Sequence, residues 1–436
     1  MSFSDTVGAS FGPNRTSVDP GSSNGRTADF GSENRGSSPL PGANDRSPRV
    51  IGSVDDGSWY DCVMPAYAIV LAAGEGTRMR SQRPKPLHLI CGRPMVMHVL
   101  HALEDVRPAR AVVVVGHGAD KVVTRVGSDA PAWLKPLFAE QTVQRGTGDA
   151  VMVGLAALDL ELGRHDGGTD ELDDTSTIIV LPGDTPLLRR ETIDDLVTAH
   201  ESQGHAATVL VSHVDDPSGY GRVVRGRDGR VQRIVEQRDA TDDERRITEI
   251  NTSIYAFRRD LLAPALRHLS PDNAQGELYL TDVIAVLAGM GHRVGAVEAP
   301  APETQGVNDR WQLALAEREL RSRTNRHWLL NGVTMIDPRQ TFIDIGVRIG
   351  RDVTLFPGTI LQGDTTIGDG CEIGPNTRLV DCHVGRASRV ENSVGRLASI
   401  GDDCHVGPFA HLAAGASVAD GQRTGAFYDS HGEPSS

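Results

Sequence analysis

From Ile343 onward an aliphatic residue returns at every sixth position: Ile343, Ile349, Leu355, Leu361, Ile367, Ile373 and Leu379. After slips of five and four residues the series resumes as Val384, Val390, Val394, Ile400, Val406, Leu412 and Val418. A helix buries one face about every 3.6 residues and does not match this period; a strand buries every second residue, so chance alternation in an ordinary sheet is the plainer alternative. A parallel β-helix matches the six-residue period, because each short strand and its turn form one side of a prism. Every aliphatic side chain then points into the prism and stacks on the coil below. Glycine often follows, as in "IGRDVT", "IGDGCE", "IGDDCH" and "VGPFAH". Glycine and asparagine suit the corners, where positive φ is required. The segment supplies about four coils, whose open end exposes apolar stack unless it is capped or paired.

Ahead of the repeats, from Tyr67 to about Asn308, short β-branched runs ("AIVLAAG", "RAVVVVGHG", "STIIVLPGD", "AATVLVSHV") alternate with helical stretches such as "PMVMHVLHALEDV" and "TIDDLVTAHESQG". This order predicts an α/β domain built on a mainly parallel sheet. "DRWQLALAERELRSRTNRHWLLNG" reads as a long helix with Asp309 as N-cap and Gly332 as its stop. The acidic run Asp166 to Ser176 reads as a solvated loop. Residues 1–64 are rich in Ser, Gly, Asn, Asp and Pro without periodicity, and read as a disordered tail. Within it, Gly36-Ser37-Ser38-Pro39 can be encoded by the usual T-arm sequence of a transfer-RNA gene, which makes Met64 an alternative start. The resulting division is 1–64, 65–310, 311–335, 336–420 and a tail at 421–436.

A formal charge of −14 argues against a nucleic-acid binder, which needs a basic face. No apolar run approaches the roughly 20 residues that span a bilayer, so no membrane partner is expected. Five cysteines form no CxxC pair, as expected of reduced thiols in a cytoplasmic protein. His98 and His101 lie one helical turn apart without further ligand companions, and read as core or surface histidines.

The run "IVLAAGEGTRMRSQRPKPL" carries the chemistry. A Walker A loop fails, because its spacing from Gly74 falls on Met79 and Arg80; a GxGxxG fingerprint fails at Met79. What remains is a strand exit of small residues, Ala72, Ala73 and Gly74, with Arg78 and Lys85 close by. Small residues let a flat base or a phosphate approach the backbone amides, and the two cations suit a triphosphate. A tight strand-to-helix turn with surface cations is the plainer reading of the same residues.

"LAAGEGTRM" followed by "PKPLH" resembles the signature of sugar-nucleotide pyrophosphorylases. With "QRGTGDA", "LPGDTPLL", "DPSGYGRVVR", "IVEQRDAT", "EINTSIYAF", "NAQGELYLTD" and "GVNDR" following in order, the chain resembles the bifunctional N-acetylglucosamine-1-phosphate uridyltransferase / glucosamine-1-phosphate acetyltransferase family from about Ala66 through the repeats. The resemblance implies a Rossmann-like mixed sheet followed by a short left-handed β-helix of hexapeptide repeats. It implies that UTP and N-acetylglucosamine-1-phosphate are joined with Mg²⁺ present, releasing pyrophosphate. The backbone of Leu71, Ala72, Ala73 and Gly74 would contact the nucleotide, together with Gly183. Arg78 and Lys85 would act on phosphates, and Gln141, Gly146 and Thr147 would read the base. Asp184 would bind the metal together with Asn308. Gly221, Glu236, Asn251 and Asn308 would hold the sugar. The family also assembles as a homotrimer.

Each residue has a plainer role available: Asp184 could form a turn with Thr185, Glu236 could pair with Arg233 or Arg238, Asn251 could satisfy loop backbone, and Asn308 could begin the next helix. Departures from the family lie in the repeats. Where its "FARLRPGA" carries a phosphate-binding arginine, "FAHLAAGA" places Ala413, and its "GNFVExK" lysine is replaced by His431. The family's catalytic histidine has no counterpart before Ser436. Uridylyl transfer without acetyl transfer is therefore expected. Two other readings use the same residues: a nucleotidyltransferase for another sugar phosphate or nucleotide, and a catalytically silent oligomeric scaffold. Intact Arg78, Lys85, Asp184 and Asn308 speak against silence.

Overall fold

A computed structural model describes residues 65–165 and 175–430. The tail, the possible start at Met64, most of the acidic loop and His431 lie outside the described residues. Nine strands form one mixed sheet. Its main path runs Val294–Glu298, Ala207–His213, Glu249–Arg258, Thr177–Pro182, Ala66–Ala72, Arg110–Val115, Pro136–Glu140. All of these pair in parallel except Glu249–Arg258, which is antiparallel to both neighbours. Runs such as "AVVVV" are apolar at every position because helices cover both faces. Tyr67 and Ile69 enter one core with Val112, Val114 and Leu158; Ala68 and Val70 enter the other with Val113, Leu100 and Ile193. His98 belongs to the second layer: it is buried, its Nε2 lies 3.0 Å from the Ile90 carbonyl, and burial lowers its pKa to about 4. It is a neutral core histidine.

From Ala66–Ala72 the chain first builds outward to Pro136–Glu140, then returns to place Thr177–Pro182 on the other side of the first strand. A crevice opens beyond the carboxyl ends of strands at such a reversal. Glu249–Arg258 pairs with Thr177–Pro182 only from Tyr255 onward. Its first half, offset by a register shift between Asn251 and Tyr255, pairs instead with Gly221–Arg225. Ser253, at φ 61°, sits within that shift. The shift carries Asn251 out over the crevice.

The linker helix spans Arg310–Leu330, N-capped by Asp309, whose side chain accepts from the Gln312 amide, and Gly332 follows at φ 91°. Beyond it lie three parallel sheets of six, five and five strands, a left-handed β-helix five coils deep rather than four. Pairing begins at Thr334–Met335, before the first counted hexad, and continues to Arg423–Gly425. The inward stack holds with one correction. Val394 is 47% exposed, and Gly395 takes the inward place between Leu379 and Leu412. The spacing there is thus two steps of five from Val390 to Ile400, because each turn drops a residue. Corners use asparagine and glycine as expected, but also Asp352, Asp381, Ala387, Leu397, Asp403, Phe409 and Phe427 at positive φ.

A small core joins the parts. Ile90, Cys91, Met95, Leu187, Val307 and Ala316 pack with Leu313, Leu320 and Ile345. The Cys91 amide donates to Glu317 of the linker helix (2.7 Å), and the Cys91 carbonyl accepts from Ile345 in the first coil (3.0 Å). Burial and then Glu317 push the Cys91 thiol well above its ordinary range, so it stays protonated.

A Cβ at position 395 would meet Leu379 Cδ2 at 3.1 Å and Cys382 Sγ at 3.3 Å. Gly395→Val should therefore cost about 1–3 kcal/mol of stability by overpacking. Val394→Ser, on the outer side, should stay within about 0.5 kcal/mol. Denaturant unfolding of both variants measures the difference.

Candidate active site

The crevice is a cleft of about 500 Å³. Its floor comes from two adjacent strand exits, Leu71, Ala72, Ala73 and Gly74 on one side and Pro182, Gly183 and Asp184 on the other. The Gly183 amide donates to the Leu71 carbonyl at 2.8 Å and ties the two exits together. A Cβ on Gly183 would come within 3.0 Å of that oxygen, so the missing side chain keeps the exits close.

At the mouth, Lys85 Nζ contacts the Asp184 carboxylate and lies 3.0 Å from Asn308 Oδ1. Arg78 Nη2 donates to the same Asn308 oxygen at 2.9 Å. Arg78 is exposed and stands at the rim rather than in the lining. Asp184 does not form the turn with Thr185; Thr185 Oγ1 makes it, donating to the Pro182 carbonyl at 3.0 Å. Nor does Asn308 cap the linker helix, which is the work of Asp309. Instead the Val307 backbone amide donates to the Asp184 carbonyl (2.9 Å) and the Asn308 backbone amide donates to Gln312 Oε1 (2.7 Å), which fixes the backbone that carries both side chains. One carboxylate and one amide oxygen thus converge on a single cation. Hard oxygen donors of this kind fit a divalent ion that keeps most of its water. Among the described residues there is no cluster of three or more His, Cys, Asp or Glu that could hold a metal.

Deeper on one side, Gln141 is buried, with Nε2 donating to the Gly146 carbonyl (3.2 Å) and to Asp149 (2.8 Å). Thr147 Oγ1 accepts from the Leu280 amide at 3.0 Å. Gly146 has φ 110°, and a Cβ there would lie 2.6 Å from the Leu278 carbonyl.

On the other side lie Gly221, Glu236 and Asn251. Glu236 is not paired with a surface arginine: it accepts from Thr281 Oγ1 at 3.3 Å, while Arg233 binds Glu244. Burial, with the neighbouring carboxylates Asp282 and Asp239, raises the Glu236 pKa despite the Thr281 hydrogen bond. Asn251 Nδ2 donates to the Tyr255 hydroxyl (2.8 Å), and its Oδ1 accepts from the Ser253 amide (3.1 Å). A Cβ on Gly221 would touch both Ile234 and Glu236, so glycine leaves the space between Glu236 and Asn251 open.

All the sequence-derived site residues except Arg78 line this one cleft. Sequence reasoning missed Gln144, Tyr220, Arg222, Glu277 and Thr281. Gln144 Nε2 donates to the Ala73 carbonyl at 2.8 Å. Buried Arg222 holds the Tyr220 carbonyl and Gln237 (2.6 Å), fixing the turn that carries Tyr220 and Gly221. All five fall inside motifs already singled out, "QRGTGDA", "DPSGYGRVVR" and "NAQGELYLTD", but motif membership alone does not say which side chains face inward.

A family model for the MobA-like NTP transferase domain matches residues 68–294, and one for the bacterial transferase hexapeptide of six repeats matches residues 346–380. The chain is 48% identical to the bifunctional protein GlmU of Thermobifida fusca over 338 residues, 77% of this chain and 67% of that protein. This chain belongs to the GlmU family. Its GlmU relatives include that of Streptomyces avermitilis, 45% identical over 369 residues, 84% of this chain and 73% of that one. The GlmU of Caldanaerobacter subterraneus subsp. tengcongensis is 44% identical over 345 residues, 79% and 71% respectively. Like the rest of the GlmU family the chain is a nucleotidyltransferase, a transferase domain joined to hexapeptide repeats. The transferase match stops short of Asn308, which the fold nonetheless brings against Lys85. No described helix is long and apolar enough to cross a membrane.

Gly146→Ala should push the turn off Leu278 and displace Gln141 and Thr147. A misplacement near 1 Å costs on the order of a hundredfold in rate, so pyrophosphate release should fall by at least about tenfold. Gly127→Ala, where nothing lies within 4 Å of the added carbon, should leave the rate unchanged.

Proposed function

We propose that this chain makes UDP-N-acetylglucosamine from UTP and N-acetylglucosamine-1-phosphate. The observation that carries the reading is the meeting of Lys85, Asp184 and Asn308, with Arg78 at the rim, at the crevice of a cleft whose far side holds Glu236 and Asn251. Phosphate chemistry belongs at the mouth, where the fixed cations are. A neutral, hydroxyl-rich ring suits the side where a carboxyl, an amide and small residues leave room.

In the reaction a phosphate oxygen of the sugar-1-phosphate forms a bond to the α-phosphorus of UTP, and the bond from that phosphorus to the β-bridging oxygen breaks, releasing pyrophosphate. The nucleophile is already ionised at neutral pH, so no general base is needed, and no histidine lines the cleft. The backbone of Leu71 to Gly74 and Gly183 carries the nucleotide, while Gln141, Gly146 and Thr147 face the base. Lys85 and Arg78 neutralise phosphate oxygens and stabilise the equatorial charge of the transition state. Asp184 and Asn308 hold Mg²⁺, which when bound neutralises phosphate charge and polarises the phosphoryl oxygen. Glu236 and Asn251 accept and donate to sugar hydroxyls and the acetamido group, with Gly221 providing clearance.

The work is divided near residue 310: residues 65–309 transfer the nucleotidyl group, the helix Arg310–Leu330 links, and 334–425 form the repeat domain. Acetyl transfer is absent in this reading, because Ala413 offers no charge to a sugar phosphate where the family places arginine. The apolar groups outside the β-helix, Leu397, Phe409 and Phe427, give a homotrimer a surface to bury. The protein acts in the cytoplasm.

Pyrophosphate release across a panel of nucleotides and sugar phosphates, with and without Mg²⁺, tests the assignment. UTP with N-acetylglucosamine-1-phosphate and Mg²⁺ should give the highest kcat/KM, and Asp184→Asn should lose about a hundredfold or more. Equal turnover of another pair would overturn the substrate assignment, and N-acetylated product from acetyl-CoA would overturn the loss of acetyl transfer. The pH profile gives a further check. As pH falls through the raised pKa of Glu236, its carboxylate protonates, loses its charge and becomes a weaker acceptor with one O–H donor, so KM for the sugar phosphate should rise on a limb above the ordinary glutamate range. Glu236→Gln should remove that limb at an already elevated KM.

A further inference from the structure

The two oxygen donors assigned to the divalent ion are engaged by cations of the chain itself. The Lys85 ammonium contacts the Asp184 carboxylate and stands 3.0 Å from Asn308 Oδ1, and Arg78 reaches the same amide oxygen at 2.9 Å. The side chains of Lys85 and Asp184 are only 13% and 26% exposed, so solvent screens this contact incompletely. A cationic point charge thus sits where the two donors converge. A divalent ion bonded to the same oxygens would lie within contact distance of that ammonium, and like charges at such range repel strongly. Both cannot stay.

We propose that Lys85 closes the divalent-ion position in the nucleotide-free protein and that the triphosphate opens it by drawing the ammonium onto its own oxygens. Lys85 sits on a short turn, Lys85–Leu87, beside the strand exits that carry the nucleotide. A rotation of its flexible side chain is enough to exchange a carboxylate partner for a phosphate one. Ion and nucleotide then bind with positive coupling, and by linkage each raises the affinity of the other by the same factor. The inference rests on the assignment of Asp184 and Asn308 as the ion pair's donors.

The test is a Mn²⁺ titration of the full chain, read from the spectrum of free Mn²⁺ and involving no turnover. Lys85→Ala and Lys85→Met are compared with the unaltered protein, and unchanged circular dichroism checks folding. Without nucleotide, both variants should bind Mn²⁺ about tenfold or more tightly than the unaltered protein, within the 5- to 150-fold span of ordinary coupling between sites. Adding the uridine triphosphate analogue with an α,β-imido bridge should tighten Mn²⁺ binding to the unaltered protein, and tighten it less in the variants. Mn²⁺ affinities that match or fall below that of the unaltered protein would overturn the proposal. Asp184→Asn in the Lys85→Ala background separates the two ideas. If it abolishes Mn²⁺ binding, the ion site stands whatever the outcome for Lys85. If it changes nothing, the ion assignment fails and takes this inference with it.

Discussion

Everything at the mouth of the cleft depends on attraction between groups supplied by three distant parts of the chain. Lys85 comes from the turn after the first strand, Asp184 from the exit of its neighbour in the sheet, and Asn308 from the residue before the cap of the linker helix. Two backbone hydrogen bonds, Gly183 to Leu71 and Val307 to Asp184, hold the frame to which these side chains are fixed. Opposite charges concentrated at an incompletely solvated point are the means by which a protein of net charge −14 receives two polyanions. Long-range attraction would not serve it; local cations do.

The sheet topology decides where that point lies. Because the chain builds outward from its first strand in one direction and then returns to the other side, two strand exits open next to each other without a helix between them. The antiparallel strand completes the far wall. Its register shift turns Asn251 over the cleft, and Tyr255, one step further on, both anchors Asn251 and packs in the core. One element thus serves the interior and the site at once.

Much of this was legible in the sequence, for physical reasons that can be named. Seven aliphatic residues at one spacing have no economical fold other than stacked coils. The small-residue exit with two cations suits phosphates by its own chemistry, although a tight turn with surface cations uses the same residues. What escaped were features decided by a single residue of register. Val394 and Gly395 cannot be ranked as inward or outward by composition; the shortened turns on either side decide it. The antiparallel direction of Glu249–Arg258 is equally silent, since alternation reads the same both ways. Glu236 could have paired with an arginine two or three residues away, and only the approach of Thr281 from a distant helix start placed it inside. Gln144 and Arg222 act through backbone carbonyls, a partner that no spacing rule announces.

The small core shared by Ile90, Cys91, Val307, Ala316 and Ile345 separates the repeat domain into two fates. Its first coil is mortared into the catalytic half through a core that includes Val307, the residue before the amide that faces Lys85, so wear there is felt at once in the chemistry. The last described coil, where Ala413 lies, has no part in that core. A substitution there is insulated from the nucleotidyl-transfer site by the coils that lie between.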